Sequence, residues 1–430
     1  MGGQSPLADA WADSLALNSE LAGEPQIVIP DHTDLDFYLQ QAMLRNPSLK
    51  ASYYRWVAEL EKAGYEGALP DPVFNYAKFI ESVETRVGPQ EQRFGIMQSI
   101  PWFGTLGARK DISLAAADAA YQRFESQRLR LFYQVKSAYY DYYLVSRELQ
   151  ITNENFELLK FWESVTRTRY KVGLQRHPDV IKAQVELGKL EDRLQSLEEL
   201  HKPAAAQLRA LLHLPEVVQL PMPDTISVAE AELNDDSLIA AIRSNNPDLL
   251  ALGQNIEMEA ARARLAGKQS YPNFTVGVDY IQTGPALNPD MAESGKDPWM
   301  VGVGVSLPIW FGKNKARRAE AEARQRSAEY ALEEQRDQLT AYSVRVLFEH
   351  DDAARKTALY RDGLVPKAEQ SLNASYGAYQ AGGADFLSVL DAQRQLLDFQ
   401  LTVERERVRL AKRAAELEML SGHELAEFQK

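Results

Sequence analysis

Residues 101–104 read Pro-Trp-Phe-Gly, and the chain returns to Pro-Ile-Trp-Phe-Gly at residues 308–312. Three more segments recur in the same order at nearly constant spacing: residues 45–49 with 245–249, residues 72–74 with 272–274, and residues 170–173 with 379–382. Shared turn chemistry could explain any one of these matches. Four matches in a constant order indicate a tandem duplication.

The duplication divides the chain into two halves. We expect the halves to span residues 34–214 and 236–421, joined by a polar, proline-bearing linker over residues 215–235. Residues 1–33 are then an N-terminal extension, and residues 422–430 a C-terminal tail. The signals in each half predict the same order of elements, namely a helix, two strands, a long helix and a closing helix.

Capping residues, prolines and glycines set the predicted helix bounds. The first helix of each half begins at an aspartate, Asp34 or Asp236, whose carboxylate can cap the amides of the first turn. The predicted first helices span residues 34–69 and 236–269, the long helices residues 106–172 and 314–381, and the closing helices residues 176–213 and 384–421. Pro366 lies inside the second long helix where the first has Glu157, so the second is predicted to be more kinked.

The first long helix has coiled-coil periodicity. From Leu114 to Leu159, nearly all positions reached by alternating steps of three and four residues are apolar. At 1.5 Å per residue this helix is roughly 100 Å long. Two of the shorter helices stacked end to end would approach that length, which favours the wall of a cylinder over a compact bundle.

The predicted strands alternate apolar and polar residues. Phe274, Val276, Val278 and Tyr280 share one face of their strand, and residues 299–307 alternate in the same way. Aromatic residues crowd the strand ends: Trp102, Phe103, Tyr271, Tyr280, Trp299, Trp310 and Phe311. The pattern fits a half-buried soluble sheet, and it also fits lipid-facing strands with aromatic residues at the membrane interface. Four strands cannot close a barrel alone, whereas two chains would supply eight strands and three would supply twelve.

Composition excludes several classes of protein. The 430 residues carry a formal net charge of -13, which argues against a nucleic-acid partner, and the absence of cysteine excludes disulfides and thiolate metal sites. No apolar run is long enough for a transmembrane helix. No signal peptide is visible, so the protein is expected to be either cytosolic or exported with its signal removed.

Enzyme signatures are missing from the sequence. The six histidines lack metal-ligand spacing, and no phosphate loop, nucleotide fingerprint or nucleophile elbow occurs. The triplet His350-Asp351-Asp352 is interpreted as a solvated helix face. We therefore expect no catalysis, no cofactor and no bound metal. A soluble periplasmic coiled-coil scaffold or adaptor stays open as an alternative, although such proteins lack two separated pairs of alternating strands.

Residues 34–421 resemble the TolC-like outer-membrane efflux protein family. The resemblance rests on the duplication, the two strand exits, the glycine breaks and the run YQAGGADFLSVLDAQ at residues 379–393. It implies a mainly α fold with a small β part, in which a homotrimer forms a long coiled-coil helical barrel and a twelve-stranded transmembrane β-barrel. The implied function is a passive exit duct. The strand exits are similar to those of the heavy-metal resistance branch.

The resemblance also implies a location and partners. Such a duct lies in the outer membrane of a Gram-negative bacterium, in contact with outer-membrane lipid, with most of the chain in the periplasm. It receives substrates through a periplasmic adaptor, or membrane fusion protein. An inner-membrane pump supplies the energy, and the resistance-nodulation-division class is one candidate for that pump.

Site residues follow from the resemblance by position. The turns Val172-Gly173-Leu174 and Ala381-Gly382-Gly383 correspond to the periplasmic tips that contact the adaptor. Asp391 matches an aspartate that narrows the tunnel mouth, where three copies would form a ring of negative charge. A second acid often lies three residues earlier in the family. Ser388 occupies that position here, and Asp385 is the candidate substitute.

Overall fold

The computed structural model describes residue 29 and residues 34–173, 175–228, 233–288 and 290–428. Leu174 and most of the predicted N-terminal extension lie outside the described residues. The chain divides into two compact units. The helical unit comprises residues 1–52, 124–247 and 337–430, and the sheet unit comprises residues 53–123 and 248–336.

The two halves contain the same order of elements. The first half has helices α1 (Leu35–Arg45), α2 (Pro47–Glu66), α3 (Thr105–Lys171) and α4 (His177–Leu211). The second half has α5 (Asp235–Asn245), α6 (Pro247–Lys268), α7 (Phe311–Ala358), α8 (Val365–Gln380) and α9 (Phe386–Ser421), followed by a 3-10 helix over Leu425–Phe428. None of the described helices has an 18-residue stretch apolar enough to cross a membrane.

The prediction of one helix at the start of each half was wrong, because an Asn-Pro pair divides each of these segments into two helices. Asn46 and Asn246 adopt ψ angles of 119° and 122°, the extended backbone that a following proline imposes. Both asparagines are buried. The Asn46 side chain donates to the Leu211 carbonyl at 3.0 Å, and the Asn246 side chain donates to the Leu420 carbonyl at 3.0 Å. Each asparagine thus connects the start of its half to the end of the closing helix.

The long helices of the two halves differ in continuity. Helix α3 runs unbroken for 67 residues, close to its predicted bounds. Its counterpart is interrupted by a π-helix over Leu359–Leu364, and Pro366 lies at the start of α8. Proline lacks the backbone N–H that an α-helix would use at this position, so the wider turn fits the loss of that bond. The structure therefore shows a π turn directly before Pro366, while the predicted kink of this half stays a prediction.

The predicted apolar stripe of α3 is buried along most of its length. Ala117, Leu131, Val135 and Tyr142 are each at most 2% exposed. The predicted burial was wrong for the first position of the stripe, because Leu114 is 39% exposed. Small residues, Ser113, Ala115 and Ala117, occupy the buried positions around it. Periodicity alone did not show which face is covered at this end of the helix.

The four strands form one antiparallel sheet in the order β1-β2-β3-β4. The strands are β1 (Val73–Thr85), β2 (Gly88–Ile100), β3 (Phe274–Thr283) and β4 (Trp299–Val305). The register between β1 and β2 shifts between Lys78 and Val83, as at a β-bulge. Strands β1 and β4 are the edges of the described sheet. Their outer hydrogen-bonding groups are therefore available to another strand.

Candidate functional site

One face of the sheet is apolar and exposed. A row of side chains crosses all four strands in register: Phe74, Ile96, Val278 and Val301. Within the described chain, Phe74 is 63% exposed and Val301 is 75% exposed. A half-buried soluble sheet would hide such a row against a core, and the described sheet does not. Contiguous exposed apolar surface of this kind marks contact with lipid or with another chain.

A second row on the same face is aromatic. Tyr76, Phe94, Tyr280 and Trp299 are direct cross-strand neighbours. Their ring centroids are separated by 5.3 Å, 6.2 Å and 5.1 Å from β1 to β4. Sequence reasoning singled out Tyr280 and Trp299, but it missed Tyr76 and Phe94 because only the strand register aligns them. Such a row has the composition of a membrane-interface belt.

The other predicted aromatic residues gather at the opposite end of the sheet. Trp102 stacks on Tyr271 with centroids 5.0 Å apart, and it also stacks on Phe274 at 5.9 Å. Phe103, Trp310 and Phe311 are all strongly exposed. The seven predicted interface residues therefore divide into two groups, one at each end of the strands.

The opposite face of the sheet is polar and lined with small residues. Arg93 on β2 and Asp279 on β3 form a two-bond ion pair, with N–O distances of 3.0 Å and 2.8 Å. Gly95 makes room for it, since a Cβ at that position would lie 2.3 Å from the Asp279 carboxylate. Alternation along the strands thus separates an apolar surface from a charged one.

The predicted tip residues lie in two tight turns between antiparallel helices. Gly173 and Gly382 have φ angles of 75° and 78°, a left-handed conformation that only glycine adopts without strain. Val172 is 65% exposed, and Ala381, Gly382 and Gly383 are exposed as well. Leu174 lies outside the described residues. The turns therefore present small, mostly uncharged side chains at the surface.

Arg169 joins the two turns. Its guanidinium donates to the carbonyls of Tyr379 at 3.2 Å and Gln380 at 3.3 Å, at the C-terminus of α8. It also lies 4.9 Å above the Tyr379 ring. The Tyr379 hydroxyl is 3.2 Å from the Thr166 hydroxyl on α3. A cation at a helix C-terminus is favourable, so these contacts hold the second turn against α3. Sequence reasoning missed Arg169, because nothing local indicates its distant partners.

Asp391 and Asp385 have different environments. Asp391 is exposed, and its carboxylate accepts a bond from Arg394 at 3.0 Å. Arg394 also donates to Glu186 on α4 at 2.5 Å, and this bond holds the pKa of Glu186 below its usual range. Asp385 is the N-cap of α9, because its carboxylate accepts from the Ser388 amide and hydroxyl. These bonds lower the pKa of Asp385. The two aspartates therefore belong to separate contacts in this chain.

A sequence profile of the outer membrane efflux protein family matches residues 38–213 and 238–423, most of the chain. The chain belongs to the outer membrane efflux protein family. It is therefore an outer-membrane efflux channel protein, and the soluble scaffold that the sequence left as an alternative does not apply. The family is one of efflux proteins.

Individual relatives resemble the chain at low identity. It is 22% identical over 339 residues to nodulation protein T of Rhizobium leguminosarum bv. trifolii, covering 75% of this chain and 70% of that one. It is 23% identical over 314 residues to the pyoverdine export outer membrane protein OpmQ of Pseudomonas putida, covering 70% and 63%. The outer membrane protein VceC of Vibrio cholerae superposes with a TM-score of 0.74 at 19% identity, covering 91% and 96%.

In this outer membrane efflux protein, the segment His350-Asp351-Asp352 is less exposed than the sequence suggested. His350 is only 3% exposed, and its ring lies 3.0 Å from the Asp351 carboxylate. Asp352 is bound by Arg355, Lys356 and Arg409, and the Lys356 bond leads the contacts that lower its pKa to about 2. The interpretation as a solvated face was wrong for His350 and Asp352. No group of three or more His, Asp or Glu side chains in the described ranges is arranged to hold a metal ion.

Proposed function

We propose that three copies of this chain form a passive exit duct. In this duct the four strands of each copy join edge to edge into one closed barrel. The exposed apolar face of the sheet carries the proposal, because lipid would cover it. The free edges β1 and β4 support it, since antiparallel pairing of β4 with β1 of the next copy would satisfy their backbone groups. The polar face, with Arg93 and Asp279, would then line the lumen.

The two glycine turns are the proposed contact with a periplasmic adaptor. Their small, exposed residues, Val172, Gly173, Ala381, Gly382 and Gly383, would allow close approach of a partner helix hairpin. Arg169 supports this role, because it fixes the second turn against α3 and so keeps both turns at one surface. In this proposal an inner-membrane pump supplies energy and cargo selection. Most of the chain lies in the periplasm of a Gram-negative cell.

Adjacent residues on opposite faces of β4 test the barrel proposal. Val301→Asp places a carboxylate on the apolar face, whereas Met300→Asp makes the same chemical change on the polar face. A charge facing the bilayer interior costs a few kcal/mol, so Val301→Asp should sharply reduce the protein recovered in the outer-membrane fraction. Met300→Asp should leave recovery close to that of the parent chain. Equal recovery of the two variants would contradict a lipid-facing role for this face.

Asp391 is the proposed constriction of the tunnel mouth. Three copies would create a ring of carboxylates near the glycine turns, each steadied by its Arg394. Asp391→Asn should raise the single-channel conductance in planar bilayers, because the Arg394 contact that holds each side chain at the constriction weakens. Asp398→Asn, an exposed neutralisation further along α9, is the matched control. Unchanged conductance in Asp391→Asn would remove the constriction from this position.

A further inference from the structure

The apolar surface of the sheet extends beyond the ends of its strands. Phe274 pairs with Ile100 and Val305 on the apolar face. Trp102 stacks on Phe274, and Tyr271 stacks on Trp102 with their planes 9° apart. Tyr271 is half exposed. The chain of stacked rings therefore carries the apolar face from β3 to the segment that follows α6.

A groove begins where this aromatic surface ends. It has a volume of about 580 Å³, and its lining includes Tyr271 and Phe311 together with Asn314, Lys315 and Arg318 on the first turns of α7. Lys315 is exposed and has no hydrogen-bond or ion-pair partner among the described residues. Arg318 donates to the Gly267 carbonyl at 3.4 Å. Two aromatic rings and two cations thus line one groove.

Ser270 supplies a further unsatisfied group in the groove lining. Its hydroxyl is buried and has no hydrogen-bond partner within the described part of the chain. Glu322 lies in the lining as well, and it is the acidic member of the set. Lys315 and Arg318 outnumber Glu322 in the lining, and Ser270 has a free hydroxyl that can donate, so the chemistry of the groove favours an anion with several acceptor oxygens.

The charge around the groove is opposite to that of the chain as a whole. Residues 313–318 contain Lys313, Lys315, Arg317 and Arg318 and no acid, in a chain of net charge -13. The other end of the sheet is acidic. Its strand ends and loops carry Glu81, Glu84, Glu91, Asp290, Glu293 and Asp297 against Arg86 and Lys296. The two ends of the sheet therefore differ in the sign of their charge.

We propose that this groove binds the anionic headgroup of a phospholipid whose acyl chains lie along the apolar face of the sheet. The inference rests on the proposed membrane location of that face. Basic side chains next to exposed aromatic rings attract anionic lipid at a membrane surface. Lys315 and Arg318 contact the phosphate oxygens, while Tyr271 and Phe311 contact the start of the acyl chains. The basic end of the sheet consequently lies in the phospholipid leaflet on the periplasmic side.

Native mass spectrometry of the full-length protein in detergent tests the site. The protein is titrated with dioctanoyl phosphatidylglycerol and, separately, with dioctanoyl phosphatidylcholine. Lys315→Gln/Arg318→Gln should weaken phosphatidylglycerol binding by roughly tenfold or more, since each lost charge weakens attraction to anionic lipid severalfold. Arg324→Gln/Arg326→Gln removes the same charge from α7 outside the groove, and it should leave binding within about twofold.

Three results would overturn the inference. They are equal affinity of the parent chain for the two lipids, unchanged phosphatidylglycerol affinity in Lys315→Gln/Arg318→Gln, and complete displacement of the lipid by inorganic phosphate. The last result would identify a site for soluble phosphate. Conductance of the same preparation in planar bilayers separates this inference from the proposed duct. A conducting channel without preference for phosphatidylglycerol refutes the groove alone, whereas a protein that never inserts refutes the duct.

Discussion

The first long helix and its counterpart in the second half differ most clearly in continuity. Helix α3 runs for 67 residues without a break, whereas the matching stretch consists of α7, a π turn and α8. The glycine turns and the Asn-Pro junctions are nevertheless the same in both halves. Duplication has therefore kept the residues that direct the backbone at turns, while the helix between them has diverged.

The divergence extends to charge at the end near the glycine turns. Asp391 and Arg394 on α9 correspond by the repeat to Lys182 and Val185 on α4. The contact from Arg394 to Glu186 thus joins the second half to the first and has no equivalent in the reverse direction.

A proline in α3, which makes the first half resemble the second, should have the largest effect on the free energy of unfolding. Glu157→Pro places a proline inside α3 at the position matching Pro366, in a segment with no π turn to accommodate it. The free energy of unfolding should fall by about 3 kcal/mol or more, measured by denaturant titration with circular dichroism. Glu157→Ala, at the same exposed site, should stay within about 0.5 kcal/mol of the parent. A tolerated proline would mean that the continuity of α3 is unimportant.

Removing the shared junctions tests the similarity of the halves. Asn46→Ala and Asn246→Ala each delete a buried amide that donates to the end of a closing helix. Each should lower the free energy of unfolding by about 2 kcal/mol, because the carbonyl left behind is unsatisfied. Asn153→Ala, on an exposed face of α3, is the control and should change little. A loss in one half only would show that the two junctions are not equivalent.

The sequence predicted the elements that turns define and missed those that depend on distant contacts. Glycine and proline act within a few residues, so the two glycine turns and the bounds of α3 were predictable. Asp34 caps α1 as predicted, but the predicted cap Asp236 was wrong, because Asn234 caps α5. The break at Asn46 was missed although the proline that follows it is a local signal, and only the bond from Asn46 to Leu211 lies beyond the reach of local patterns. The burial of His350 was missed because helix periodicity does not show which neighbours cover a face.

Some features of the candidate site were likewise predictable from the sequence, and others were not. Alternation revealed the apolar faces of β3 and β4, but β1 and β2 alternate less regularly. Tyr76 and Phe94 therefore became part of the aromatic row only once the register was known. Arg394 and Glu186 are 208 positions apart in the sequence, so no local pattern predicts their contact. The strand register revealed the aromatic row, and the helix packing revealed the contact between Arg394 and Glu186.

Removal of Pro366, which makes the second half resemble the first, should change the free energy of unfolding by a smaller amount and in the opposite direction. Pro366→Ala restores a backbone N–H, so the turn at Leu359–Leu364 can close as an α-helix with one more hydrogen bond. Unfolding free energy should rise by about 1 kcal/mol, and amide exchange in residues 359–365 should slow. Hydrogen exchange with mass spectrometry makes this measurement. Faster exchange in Pro366→Ala would show that the π turn does not originate from the proline.

Removal of the ion pair between Arg394 and Glu186 should have the smallest effect on the free energy of unfolding, and this effect should depend on pH. Because Arg394 lowers the pKa of Glu186 in the folded chain, the pair stabilises the fold above the ordinary glutamate value of 4.5. This stabilisation is lost as the pH falls through the lowered value. Glu186→Gln should cost less than about 1 kcal/mol at pH 7, since Arg394 is half exposed, and should match the parent in strong acid. A difference independent of pH would exclude this pair as its source.

The mass of the native assembly tests the central claim most directly. The chain would be expressed behind an export signal, the membranes fractionated, and the protein extracted from them in detergent for native mass determination. We expect a particle of three chains that is recovered from the outer membrane. A soluble monomer or dimer from correctly exported protein would contradict it, because the apolar face and the free edges of the sheet would then have neither lipid nor neighbouring strands to cover them.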